Sequence, residues 1–281
     1  MKIKMESSVK SYLEKVETLL LEKEACNNLI LGLLDRLQSN KMNCYLGYVE
    51  ENGRAVSAFM RTPPHNWIIA DVEGRNKDVS YAIADYLYEG GLEVPGVLGP
   101  VSEVEAFVHR WADLKNTTAA IHMNQLIYQL DEVKITPSVK GQLVNGTEDE
   151  LELIAAWLVI FGVEANEPIT AEKAENMAYQ FVKNQSIYLW KVDNQFVSMI
   201  NRSRKTKNGA TINAVFTPDQ FKRKGYATNA VAVLSQQLLD KGFQFCSLYT
   251  DQSNQTSNNI YKKIGYYAIG SSIVYHFGKR E

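Results

Sequence analysis

Val215-Phe-Thr-Pro-Asp-Gln-Phe-Lys-Arg-Lys-Gly-Tyr-Ala-Thr228 decides how this chain reads. Upstream, Ile212, Ala214 and Phe216 alternate in an apolar-rich run over 210–216, which predicts a strand. Downstream, Ala227, Val231, Leu234 and Leu238 recur at helical spacing, with Gln236, Gln237, Asp240 and Lys241 off that face. Pro218 ends the strand, because it lacks an N–H and fixes φ. Three cations, Lys222, Arg223 and Lys224, then precede Gly225 at the helix start. The first turn of a helix has unpaired N–H groups and the positive end of the dipole, so it favours an anion. A glycine lets the backbone turn sharply and approach that anion closely. The stretch predicts a cradle for phosphate or pyrophosphate; the competing reading of the same residues is a solvated basic face.

The composition narrows the class. The chain has 281 residues, room for one large or two medium domains, with 45% hydrophobic and 22% charged residues, as in soluble globular proteins. A net charge of −2 argues against a nucleic-acid surface, so the cations at 222–224 point to a small anionic ligand. Cys26, Cys44 and Cys246 have no metal-like spacing and read as reduced thiols of a cytoplasmic protein. Cys246 reads as a buried strand residue, and Trp157 and Trp190 as core. His65, His109, His122 and His276 form no triad-like or metal-like pattern, so no metal and no catalytic histidine are expected. Residues 1–6 lack the apolar core of a signal peptide, and no apolar run approaches the length of a membrane span.

Taken in order, the periodicities predict helices over 8–38 with a break near Cys26, and strands over 43–50, 56–61 and 67–72. Helices over 78–89 and 101–114 follow, with short strands at 97–98 and 125–130. A second run predicts helices over 148–161 and 172–184, the latter capped by Thr170, then strands over 186–192 and 196–203. The opening strand and helix come next, then a strand over 243–250, a helix over 254–264, and closing strands at 266–268 and 272–277. Asn52-Gly53 and Asp193-Asn194 mark equivalent hairpins in the two runs. The parallel order predicts a structural repeat. The first run has Arg75-Asn-Lys77 where the second has Gly225, so it reads as a degenerate copy.

A second motif lies downstream, Asn254-Gln-Thr-Ser257-Asn-Asn-Ile-Tyr261-Lys-Lys-Ile-Gly265-Tyr266. Ser257 and Tyr261 are four apart and share a helix face. Together with Lys222-x-x-Gly225-x-Ala227, this motif resembles the GNAT superfamily of N-acetyltransferases over residues 146–277. Lys222 departs from the family's usual Arg or Gln, and Arg223 stands where many members carry another glycine.

The resemblance implies an α/β (α+β) fold of two GNAT-like domains, residues 1–139 and 140–281, each a mixed, mostly antiparallel sheet flanked by helices. It implies acetyl-CoA as the cofactor, bound by Val215, Phe216, Thr217, Lys222, Arg223, Lys224, Gly225, Tyr226, Ala227, Thr228, Asn254 and Ser257. It further implies that Tyr261 protonates the leaving thiolate as a general acid. Glu164, in the loop between the two helices of the second half, is the candidate general base, with a surface carboxylate as its alternative. Asp251, at a strand end, reads as structural. The expected partner is a small-molecule or peptide amine, with no nucleic acid and no membrane. A non-catalytic acyl-CoA-binding or protein-interaction module is the alternative function.

Overall fold

Both hairpins marked in the sequence are left-handed turns in the computed structural model, which describes residues 1–39, 42–74 and 76–278. Asn52 and Gly53 have φ of 50° and 78°, and Asp193 and Asn194 have 45° and 66°. Two successive positive φ values suit a hairpin turn whose twist matches that of its strands.

The first run contains β1 (Lys2–Glu6), α1 (Val9–Leu21), α2 (Asn28–Ser39), β2 (Tyr45–Glu51), β3 (Arg54–Arg61) and β4 (Trp67–Ile69). It goes on through α3 (Lys77–Glu89), β5 (Gly96–Pro100), α4 (Val101–Lys115) and β6 (Thr118–Leu130). The second run contains β7 (Gln142–Asn145), α5 (Leu151–Glu164), α6 (Ala171–Lys183), β8 (Ile187–Val192), β9 (Gln195–Lys205) and β10 (Gly209–Phe216). It closes with α7 (Tyr226–Asp240), β11 (Phe245–Asp251), α8 (Gln255–Ile264) and β12 (Tyr267–Gly278). The second run reproduces the first element for element, so the repeat expected from the sequence is present.

The chain forms two compact units, Met1–Ile127 with the segment from Ala268 onward, and Tyr128–Tyr267. In the first, strands lie in the order β1-β2-β3-β4-β5-β12. β12 pairs antiparallel with β5, from Ser272 opposite Pro100 to His276 opposite Gly96. In the second, the order is β11-β10-β9-β8-β7. The two repeats therefore do not keep their own last strands. β12 is built into the first unit, and the end of β6 from Tyr128 belongs to the second. The expected cut at 139/140 falls inside the second unit.

Each sheet is mixed and mostly antiparallel, with β4–β5 and β10–β11 as parallel pairs. Helices flank both faces of the first. Tyr12, Val16, Leu20, Ile30 and Leu34 of α1 and α2 cluster with Leu46, Ala58 and Met60, while Ile83, Leu87, Val104 and Phe107 of α3 and α4 cluster with Phe59, Trp67 and Val97. In the second unit, Ile154, Trp157, Leu158 and Ala178 of α5 and α6 cover Ile187, Leu189, Met199 and Phe216. Trp190 and Cys246 are buried as expected, and Thr170 caps α6 by accepting from the Lys173 N–H at 3.3 Å.

Three local expectations change. β1 and β7 are strands that the local pattern did not mark. The strand expected over 67–72 stops at Ile69, because the chain there turns to hydrogen-bond with α2's approach: the Asp71 N–H donates to Asn27 Oδ1 and Asn27 Nδ2 to the Asp71 carbonyl, both at 2.8 Å. The two closing strands are one, β12. Arg75 lies outside the described residues. Among the described residues no helix is long and apolar enough to cross a membrane.

β4 and β5 approach closely at Gly99, whose φ is 151° and where an added Cβ would lie 2.5 Å from the Ile69 carbonyl oxygen. Gly99→Ala should therefore destabilise the first unit, by about 1–3 kcal/mol from backbone strain with the clash added. Denaturant unfolding checks this, and an unchanged midpoint would contradict the close approach.

Candidate active site

The site starts where two parallel strands separate. β10 and β11 pair at Gly209–Phe245, Ala210–Cys246 and Thr211–Ser247. Both strands then continue, to Phe216 and Asp251, without further pairing to one another. On its other edge β10 stays on β9, but the register slips between Asn213 and Phe216. Ala214 has φ of 48°. Ala214 and Val215 thus form a bulge, which bends the strand and re-aims its backbone groups. Ser198 Oγ donates to the Phe216 carbonyl at 2.8 Å, and Thr217 Oγ1 donates to Ser198 Oγ at 2.9 Å, which pins the end of the strand. The result is an open fork lined by backbone N–H and C=O groups. The corresponding strands of the first unit stay paired at Trp67–Val97 and Ile68–Leu98 and touch at Gly99.

The chain from β10 enters α7 through the cationic loop. Gly225 is the N-cap, with φ of 81° and no side-chain cap hydrogen bond, and the first turn carries no acidic residue. Tyr226, Ala227 and Thr228 open the helix, so their N–H groups form the uncapped first turn. The equivalent helix start in the first unit is filled: Asn76 Oδ1 accepts from the Asp78 N–H at 2.9 Å, and Asp78 adds a carboxylate to the first turn. One helix start is self-capped and negative; the other is open and flanked by cations. Arg223 takes φ of 62°, a left-handed conformation that a glycine would hold without strain. Lys224 lies over the Phe221 ring at 5.6 Å.

Lys222 and Glu164 meet. Lys222 Nζ is 2.7 Å from Asp219 Oδ1 and 2.8 Å from Glu164 Oε1. The hydrogen bonds to Asp219 and then to Glu164 raise the Lys222 pKa further. Glu164 is the last residue of α5 rather than a loop residue. Its carboxylate faces the cationic loop, so a base role for it has to follow release from Lys222.

Tyr261 lies on α8, buried, with its ring 5.9 Å from that of Tyr266 and 6.2 Å from that of Tyr128. Burial alone pushes its phenol up to about 12. The Tyr266 hydroxyl is paired with Ser235 Oγ at 2.8 Å, whereas no hydrogen bond to the Tyr261 hydroxyl is found among the described residues. Asn254 is the N-cap of α8 and accepts from the Ser257 N–H at 3.0 Å, so these two expected ligand contacts already serve the helix start. Asp251 is structural, accepting from the Ser253 N–H and Oγ, each at 2.7 Å.

Three residues at the site carry no motif. Asn229 Nδ2 donates to the Gly225 carbonyl at 2.8 Å, and its Oδ1 accepts from the Ser138 N–H at 2.7 Å, bracing the loop. An asparagine inside a helix four residues after the glycine is the signal that could have found it. Asn258 Nδ2 donates to the Asp251 and Gln252 carbonyls, each at 3.2 Å, while its buried Oδ1 has no partner among the described residues. Tyr128 is the third, and nothing local to β6 distinguishes it from a core tyrosine.

Comparison with known proteins identifies the fold. Residues 192–274 match the family described as FR47-like protein, which is related to the GNAT acetyltransferases. A GCN5-related N-acetyltransferase from Sphaerobacter thermophilus superposes with a TM-score of 0.63 at 12% identity, over 99% of this chain and 95% of that one. A GNAT-family acetyltransferase from Colwellia psychrerythraea gives 0.59 at 12% identity, over 99% and 100%. A tandem GNAT protein from the clavulanic acid biosynthesis pathway gives 0.57 at 11% identity, over 99% and 98%. No curated protein sequence matches the chain. The fold is the GNAT fold in tandem.

The raised phenol has a stability consequence. Below pH 10 folded and unfolded chains both keep the Tyr261 proton. Between 10.0 and about 12 the unfolded chain gives it up and the folded chain does not, so stability falls as pH rises. Tyr261→Phe should lose stability less steeply across that window, as read by denaturant unfolding at a series of pH values. Parallel curves would mean that the phenol titrates normally.

Proposed function

We propose that this tandem GNAT chain transfers an acetyl group from acetyl-CoA to an amine, and that the second unit performs the reaction. The observation that carries the proposal is the open fork of β10 and β11 beside a helix start that no side chain among the described residues caps. In this reading the pyrophosphate rests on the N–H groups of residues 225–228, with Lys222, Arg223 and Lys224 around it. The pantetheine arm enters the fork and pairs with backbone groups of Val215, Phe216 and Thr217. Gly225 suits the role, since an added Cβ would lie 3.2 Å from Val139 Cγ1 and φ is 81°.

The chemistry is direct transfer. The amine nitrogen attacks the thioester carbonyl carbon while a backbone N–H of the bulge polarises the carbonyl oxygen. As the C–S bond breaks, its electron pair stays on sulfur, and sulfur takes the Tyr261 proton. The proton lost by the amine passes to a base and returns to the Tyr261 oxygen. Glu164 is the candidate base once phosphate draws Lys222 away, with water as the other route. If Glu164 has that role, Glu164→Gln moves the acid limb of the pH–rate profile; an unmoved limb leaves the proton to water.

Holding both reactants in one cleft supplies much of the rate. The acceptor is a small-molecule or peptide amine. We place the protein in the cytoplasm, in keeping with the free thiols of Cys26, Cys44 and Cys246. The Lys222–Glu164 pair favours a second reading, a non-catalytic acyl-CoA-binding module in which this carboxylate is never freed. Thiol release from acetyl-CoA with a panel of amines separates the two readings.

Three outcomes are expected. Calorimetric titration with coenzyme A should give one site per chain. Gly225→Val should lose most of that affinity while a thermal melt shows a folded protein. Two sites, or unchanged affinity in the variant, would remove the α7 loop from the account. Tyr261→Phe should lower kcat by roughly 10²- to 10⁴-fold, the range for losing acid–base catalysis, with coenzyme A affinity little changed. Turnover at the wild-type rate would end the general-acid assignment.

A further inference from the structure

Tyr128 is fully buried, and its hydroxyl has no hydrogen-bond partner among the described residues. Burying an unpaired hydroxyl is costly, and such groups are rare in folded proteins. This one lies beside the Tyr261 ring, 6.2 Å between centroids and tilted by 50°. The third ring of the group, Tyr266, cannot serve in the same way, because its hydroxyl is paired with Ser235.

The reaction proposed above leaves negative charge on the Tyr261 oxygen. A phenol pushed up to about 12 by burial is a weak acid toward a thiolate, whose thiol titrates near 8.5. Proton transfer between them is uphill unless something stabilises the phenolate. Tyr261 has no hydrogen-bond partner of its own among the described residues, and its neighbour carries an unused donor.

We propose that Tyr128 is a positioning residue for the general acid: its buried hydroxyl donates through one water to the Tyr261 oxygen while that oxygen carries charge. The inference rests on the acetyl-transfer reading. It gives the first repeat's last strand a part in the chemistry of the second unit, since that unit begins at Tyr128, two residues before the end of β6. No proton moves from Tyr128 in the balance of the reaction. Tyr261 gives its proton to sulfur and regains one from the amine by way of the base, and Tyr128 only stabilises the interval between.

The test is a double-mutant cycle of Tyr128→Phe and Tyr261→Phe in the full chain, read as kcat for thiol release from acetyl-CoA with an accepted amine, beside coenzyme A affinity and a thermal melt. Tyr128→Phe should lower kcat roughly tenfold to a hundredfold, as expected for losing a hydrogen bond to a charged group. Its cofactor affinity should hold, and its melting temperature should not fall, because the hydroxyl removed was unpaired. The double variant should be no slower than Tyr261→Phe alone, because Tyr128 acts only through Tyr261. Tyr128→Leu, which also lacks the hydroxyl, supplies the cycle if the phenylalanine variant does not fold. Independent, multiplying effects would overturn the proposal and leave Tyr128 a packing residue, as would a wild-type rate in Tyr128→Phe. A wild-type chain that releases no thiol with any amine fails differently, overturning the acetyl-transfer reading and the role of Tyr128 with it.

Discussion

Everything at the candidate site follows from the parting of β10 and β11 after Thr211 and Ser247. Parallel strands normally satisfy each other's backbone groups along their whole length, and leaving those groups unpaired inside a fold is costly. Here the separation is held from the β9 side. The bulge at Ala214 and Val215 bends β10, and Ser198 and Thr217 tie its end down. The fork delivers the chain into the cationic loop at Gly225 on one side, and β11 leads into α8, which carries Tyr261, on the other. An extended ligand with amide groups along its length and phosphate at one end matches such a surface, and this match links the fold to the proposed chemistry.

The repeat offers an internal comparison. Both runs place a parallel strand pair before the second helical half, yet only one leaves it open. In the first unit Gly99 lets β5 close on Ile69, and Asn76 with Asp78 occupies the helix start. The half-buried ion pair of Lys23 with Asp71, at 2.9 Å, lies where the chain leaves β4. These contacts use up the groups that the second unit keeps free. A duplicated fold has been closed at one copy by a few local hydrogen bonds, without any change of topology.

Local chemistry was legible in the sequence wherever short-range physics decides it. Asn52-Gly53 and Asp193-Asn194 specify their hairpins because few other residues tolerate positive φ at both positions. Gly225 after three cations marks a helix start, and Gly225 is the N-cap of α7 with φ of 81°. β1 and β7 were not legible, and β12 was expected as two short strands whose partner no local pattern names. The alternation within β12 is compatible with any neighbour, and its pairing with β5 is settled by contacts far away in the chain. The same applies to Tyr128, whose meaning comes from the Tyr261 ring brought beside it by folding. Glu164 was expected in a loop, but the helix expected over 148–161 runs on to Glu164, and its pairing with Lys222 depends on that extension.

Hydrogen exchange of the backbone amides with and without coenzyme A tests the central claim most directly, because the fork and the open helix start are both made of N–H groups. The account predicts new protection over 212–217 and 225–228 on adding coenzyme A, with none over 67–78 of the first unit. Unchanged exchange at the fork, or equal protection in the two units, would contradict it.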